Sequence, residues 1–231
     1  FMKSLLKPLY NKAPKNISSN LINTKNKINS IEDRYNEQQP EIAVIDNFLT
    51  DEALKDIQKY CRNANIFKYP YEFGYVGAFL TKGMSNKFFL KLSEDMRSTY
   101  NQIFKNYKLT QAWIFKYDNK MMGTKVHSDQ ASVNVNLWIA PNDSNLDSKS
   151  GGLVIWNKLP PDDWKFSDYN SVGATEKIDE FIKSESVDKI TVPHKENRCV
   201  IFNSKLFHKT DNFTFKDSYI NRRINVTLLF D

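Results

Sequence analysis

The sequence predicts a mainly β domain with flanking α-helices, arranged as a double-stranded β-helix, or jelly roll. Three observations predict it. Seven short runs rich in β-branched and aromatic residues follow Tyr107, separated by polar and glycine-bearing turns. Two helical patterns come before these runs and do not alternate with them, so the helices should back one sheet of an antiparallel pair. At 231 residues, 40% of them hydrophobic, the chain has the material for one core.

Residues 1–40 are rich in Asn, Lys and Ser and lack a strong period, so a partly ordered basic arm is expected there. The net charge of +6 lives in this arm. Lys3, Lys7, Lys12, Lys15, Lys25 and Lys27 all precede the first acid, Glu32, and the 27 acids are matched by as many bases after it. The arm could touch an anionic surface or remain a solvated extension. The body, 41–231, is neutral and offers no clear nucleic-acid site.

From Glu41 the elements follow in order. EIAVIDNFL alternates as a strand should. Thr50 is a candidate N-cap, with Asp51 and Glu52 in the first turn and Leu54, Ile57 and Cys61 on one helical face. The aromatic stretch 66–83 reads as strands and loops in which Tyr69, Tyr71, Phe73 and Tyr75 alternate. A second helix is predicted over 86–106, burying Phe89, Leu92, Met96, Tyr100 and Phe104. The strand runs are then QAWIFKYD, TKVHSD, SVNVNLWIA, GGLVIWN, KITVP, NRCVIFNS and RINVTLLF. The segment 157–187 reads as an insertion with one short helix.

Cys61 and Cys199, the only cysteines, make no disulfide framework, so a reducing, cytoplasmic setting is expected. No apolar run reaches membrane-spanning length, and no export signal is read.

Chemistry concentrates in four residues. On a strand, alternate side chains share a face, so His127 and Asp129 should project together. His208 follows the Val-Ile-Phe strand, 81 residues after His127. Two imidazoles and one carboxylate can occupy one face of an octahedron, an arrangement suited to non-haem Fe(II) and O2. Arg223, 15 residues later, shares a strand face with Asn225 and Thr227, while Ile224, Val226 and Leu228 take the other. A buried arginine requires an anion, and its planar fork suits a carboxylate. Arg222 would take that place if the register shifted by one residue. Asn134, Asn136 and Trp138 share one face of another strand, which either turns inward with its amides hydrogen-bonded or is the wet face. His194, in the charged turn TVPHKEN, reads as solvated.

This order of motifs resembles the Fe(II)/2-oxoglutarate-dependent dioxygenase superfamily, on its prolyl-hydroxylase-like side, over about residues 41–231. IDNFLTDEAL, the Gly151–Gly152 pair opening GGLVIW, and NRRINVTLLF are similar to that family's local patterns. The resemblance implies a cupin-like jelly roll in which His127, Asp129 and His208 bind Fe(II). It implies that Arg223 pairs with the distal carboxylate of 2-oxoglutarate and that Asn225 stands where many members carry Ser or Thr. Tyr117 and Asn136 are expected at the co-substrate pocket, and Tyr75 and Trp138 toward the substrate. The implied reaction couples oxidative decarboxylation of 2-oxoglutarate, with O2, to hydroxylation of a C–H bond in an unidentified small-molecule or peptidyl substrate. Two other readings stay open: a catalytically silent jelly-roll module that binds a metal or ligand, and a zinc hydrolase, for which no HExxH-type helix is present.

Overall fold

A computed structural model describes residues 13–14, 17–119, 123–171 and 173–231. Six α-helices and ten strands are assigned among the described residues: α1 (Ile28–Glu37), β1 (Ile42–Ile45), α2 (Asp51–Asn63), β2 (Tyr69–Tyr71), β3 (Tyr75–Phe79), α3 (Lys87–Thr99), α4 (Asn101–Phe104), β4 (Leu109–Tyr117), β5 (Val133–Trp138), β6 (Leu153–Trp156), α5 (Phe166–Tyr169), α6 (Ala174–Ser184), β7 (Lys189–Val192), β8 (Arg198–Asn203), β9 (His208–Thr210) and β10 (Ile224–Phe230). The strands form a larger sheet in the order β1-β8-β5-β10-β4-β3-β2 and a smaller one in the order β7-β6-β9, with every named pairing antiparallel.

The period-2 alternation of β10 sorts its side chains between two environments. Ile224, Val226, Leu228 and Phe230 face a core shared with Ile57, Tyr60, Phe89 and Met96 of α2 and α3. Arg223, Asn225 and Thr227 are also buried and make their contacts on the inward side. Between the two sheets a smaller core joins Trp138, Val200 and Phe202 to Leu153, Ile155 and Val192. The outward residues of β6, Val154 and Trp156, are covered by Ala174, Ile178 and Ile182 of α6. The predicted insertion therefore closes the outer face of the smaller sheet.

Local signals account for the helices. Thr50 accepts from the Ala53 N–H at the start of α2, as an N-cap should. Asn86 caps α3 by accepting from Phe88 and Phe89. The single helix predicted over 86–106 is broken at Tyr100, whose φ of −107° and ψ of 58° leave the helical region. Tyr100 and Phe104 are buried nonetheless. The segment 157–187 holds two helices, not one.

Where described, the expected basic arm lies on the domain. Leu21 and Ile22 enter the main core, and Ile22 bridges Leu49. The Leu21 N–H donates to Asp95 at 2.8 Å, and buried Glu32 of α1 accepts from the Gln102 N–H at 2.7 Å. Lys3, Lys7, Lys12 and Lys15 lie outside the described residues, while Lys25 and Lys27 are exposed. Cys61 and Cys199 are buried and unbridged, and burial pushes the Cys61 thiol up to about 12. No helix among the described residues is long and apolar enough to cross a membrane.

Candidate active site

The run TKVHSD, predicted as a strand, forms no ladder. His127 makes only an isolated antiparallel bridge with His208. Gly123, at φ +73°, and the paired hydroxyls of Thr124 and Thr210 interrupt regular structure just before it. The bridge still does what a strand would have done for the histidines. His127 N–H donates to His208 O at 3.0 Å and His208 N–H to His127 O at 2.9 Å, which sets the two rings 4.4 Å apart. Asp129 is positioned separately, by its N–H on Ser204 O at 3.1 Å.

The three side chains converge. One ligand atom from each of His127, Asp129 and His208 lies within 4.8 Å of the others. His127 Nε2 is 3.7 Å and His208 Nε2 3.5 Å from the two oxygens of Asp129. Each Nδ1 contacts a backbone carbonyl, Lys125 O at 2.7 Å and Leu206 O at 2.9 Å. A carbonyl only accepts, so each Nδ1 carries the proton and each Nε2 lone pair faces the shared space, which fits imidazoles oriented to hold a metal. Burial holds the His127 pKa below its ordinary value, and the neighbouring His208 adds to this. Burial raises the Asp129 pKa, but His127, His208 and the Asn170 amide outweigh it and leave the carboxyl below its usual range. The donor set is therefore two imidazoles, each with Nε2 toward the shared space, and one carboxylate.

A row of amides runs inward from the aspartate. Asn134 Nδ2 donates to Asp129 Oδ2 at 2.9 Å, Asn136 Nδ2 to Asn134 Oδ1 at 2.7 Å, and Asn225 Nδ2 to Asn136 Oδ1 at 2.6 Å. Thr227 joins through Asn225 Nδ2 at 3.0 Å. The register that pairs Thr227 with Asn136 and Asn225 with Trp138 builds this row. It satisfies most of the polar atoms that burial would otherwise penalise.

Arg223 lies beyond the row and is 1% exposed. Its Nε and Nη2 donate to the carbonyls of Gly151 and Gly152 at 2.7 and 3.0 Å. Its guanidinium lies over the Tyr117 ring, 4.5 Å from the centroid. Gly151 has a φ of +86°, and a Cβ on Gly152 would stand 1.9 Å from Val192 O, so both glycines are required by this turn. Arg223 Nη1 and Asn225 Oδ1 have no partner among the described residues. Arg222 points the other way, onto Asn119 and Asp118.

A cleft of about 970 Å3 reaches His127 and Asp129. Tyr71, Phe73, Tyr75, Trp113 and Phe115 line one side of it. Tyr75 stacks on Tyr71 with ring centroids 4.6 Å apart and leans on Phe115 at 4.7 Å. Trp138, expected toward the substrate, is fully buried in the inter-sheet core and takes no part in the cleft wall. Its position on β5, opposite Asn225, puts it deep between the sheets. His194, expected in solvent, is only 5% exposed. Its neighbours Lys195 and Glu196 account for the charge of that turn, bonded to Asp46 and Gln58, while His194 turns inward.

Sequence reasoning missed Asn170. It comes from the insertion and donates to Ser128 O at 2.7 Å and Asp129 Oδ1 at 3.3 Å. A single asparagine after α5 has no periodic signal. The Asn134 contact to Asp129 follows from the turn at Ala131 and Ser132, which strand alternation does not describe.

No family model and no curated protein sequence matches the chain. Solved structures do. The α-ketoglutarate-dependent epimerase SnoN from nogalamycin biosynthesis, in complex with Fe3+, α-ketoglutarate and nogalamycin RO, aligns at a TM-score of 0.62 and 10% identity, over 88% of this chain and 82% of that one. A Pseudomonas putida prolyl-4-hydroxylase aligns at 0.57 and 12%, over 89% and 100%. A prolyl 4-hydroxylase from Phytophthora capsici aligns at 0.53 and 15%, over 95% and 69%. At these identities the likeness establishes the fold: the jelly roll of non-haem 2-oxoglutarate-dependent enzymes.

Proposed function

We propose that this chain is an Fe(II)- and 2-oxoglutarate-dependent oxygenase that hydroxylates a C–H bond of a substrate bound against the aromatic wall of the cleft. One observation carries the reading: two Nε2 atoms and a carboxylate converge within 4.8 Å, in a fold that also buries a guanidinium with one unpartnered nitrogen. His127, Asp129 and His208 would hold the iron. Iron held there would supply the oxidation chemistry, in which O2, 2-oxoglutarate and the substrate C–H give CO2, succinate and the hydroxylated substrate.

The protein's own groups do the rest. The Lys125 and Leu206 carbonyls fix the tautomer of each imidazole. Asn134 and Asn170 hold the Asp129 carboxylate in place. Arg223 offers Nη1 to the distal carboxylate of 2-oxoglutarate, with Tyr117 beneath the guanidinium, and Asn136 and Asn225 form the polar wall between that point and the metal. Tyr75 and its neighbouring rings favour a substrate with a flat or apolar face. A silent metal-binding module has no use for a buried carboxylate clamp, and this favours the oxygenase over that alternative.

Purified protein given Fe(II), ascorbate and 2-oxoglutarate should form succinate and bind one 2-oxoglutarate per chain. His127→Ala and Asp129→Ala should lose Fe(II) affinity and succinate formation together. Either variant retaining both would remove the proposed ligand set. Metal binding by the wild type with no succinate and no 2-oxoglutarate affinity would favour the silent module.

A further inference from the structure

The interior of the barrel around Gly151 and Gly152 collects buried polar atoms that the protein does not satisfy. Arg223 Nη1, Trp138 Nε1 and both ring nitrogens of His194 have no partner among the described residues. The three side chains are neighbours. Arg223 holds the Gly151 and Gly152 carbonyls, and a Cβ on Gly152 would lie 2.8 Å from Trp138 Cη2, the end of the indole opposite Nε1. A Cβ on Gly151 would lie 3.4 Å from His194 Cβ, and the His194 and Trp138 rings are 6.0 Å apart. Phe215 closes the other side of His194 at 5.0 Å.

Buried polar groups are normally paired, and the unpaired nitrogens of Arg223 and of neighbouring His194 call for a partner from outside the chain. The chemistry of the two defines it. Arg223 brings a positive charge. Burial and the charges of Arg223 and Arg198 keep the His194 imidazole neutral, with a pKa of about 3, so one of its nitrogens donates as well. An unpaired guanidinium nitrogen with a neutral imidazole donor beside it fits a carboxylate, which only accepts.

We propose that His194 donates a hydrogen bond to the distal carboxylate of 2-oxoglutarate beside Arg223, and so helps select a dicarboxylic over a monocarboxylic 2-oxo acid. This rests on the function proposed above. His194 acts on binding of the co-substrate, with no part in metal binding.

The test is an anaerobic titration of the Fe(II) protein, read by the visible charge-transfer absorption of the bound 2-oxo acid. Two acids are compared: 2-oxoglutarate, and 2-oxovalerate, which has the same carbon chain without the distal carboxylate. His194→Phe should weaken 2-oxoglutarate about ten- to a hundredfold, the range of one hydrogen bond to a charged group. It should leave 2-oxovalerate and Fe(II) affinity unchanged. His194→Gln, which keeps a donor, should recover most of the loss. Unchanged 2-oxoglutarate affinity in His194→Phe overturns the inference and leaves the oxygenase reading standing. Equal loss of both acids also overturns it, since the residue would then only support packing. A wild-type protein that binds neither acid would sink the oxygenase reading itself, and this inference with it.

Discussion

Stability of the metal-free protein should depend on pH through His194. Its folded pKa is about 3, against an ordinary 6.5, because burial and the charges of Arg223 and Arg198 disfavour the imidazolium. Between those two values the unfolded chain binds a proton that the folded chain does not. Stability from this group is therefore complete above pH 6.5 and is lost as pH falls toward 3. At pH 5 the loss comes to about 2 kcal/mol, and near pH 3 it reaches about 4 kcal/mol. Replacing the residue by a group that does not titrate removes this slope. Urea unfolding of wild type and His194→Gln at pH 7 and pH 5 reads the difference, and the comparison cancels the other titrating groups, His127 among them. The wild type should lose about 2 kcal/mol more than the variant between the two pH values. Identical losses would mean that His194 is solvated in the folded protein and that its inward placement is wrong.

Arg223→Ala should reduce 2-oxoglutarate affinity at least tenfold with little change in Fe(II) affinity, while Arg222→Ala should leave both unchanged; calorimetric titration of each decides which arginine faces inward. Asn134→Ala removes a donor from Asp129 Oδ2, and Fe(II) affinity should fall about ten- to a hundredfold with the fold intact, as seen by equilibrium dialysis and circular dichroism. Gly152→Ala sets a methyl 1.9 Å from Val192 O, and the backbone shift it forces should cost about 1–3 kcal/mol and weaken 2-oxoglutarate binding, measured by thermal unfolding and titration. Native Cys61 and Cys199 should resist thiol reagents until the protein unfolds, because both are buried and their thiols titrate high.

The parts of the fold that were legible in the sequence share one physical property: their local pattern matches the environment on both faces. In β10 every second residue is apolar and meets the helical layer, so the polar set, with Arg223 just before it, is forced inward, and Arg222 is left outside. The same alternation brings Asn134, Asn136 and Trp138 to one face of β5. Where tertiary contacts decide, the pattern fails. His127 and Asp129 share a site although no ladder holds them, because one bridge and one bond to Ser204 replace the strand. His194 sits in a charged run, yet it is the neighbours that carry the polar contacts, Lys195 to Asp46 and Glu196 to Gln58, while the imidazole is buried. Trp138 follows the inward phase but is too deep to meet a substrate in the cleft. Asn170 reaches Asp129 from α5 across the interface, a contact fixed by the docking of α5 and α6 and invisible to any local signal.

That docking ties two otherwise separate events together. The helices of 157–187 cover the smaller sheet from outside, while Asn170 just after α5 touches the aspartate inside. Through the Asn170 bonds to Ser128 and Asp129, an ion held between the two histidines and that aspartate would be coupled to this stretch, and loosening the stretch would free the aspartate in turn. Loading the centre should therefore slow proteolytic nicking of 157–187, and cutting that stretch should release the ion, as any mutually linked pair of equilibria requires.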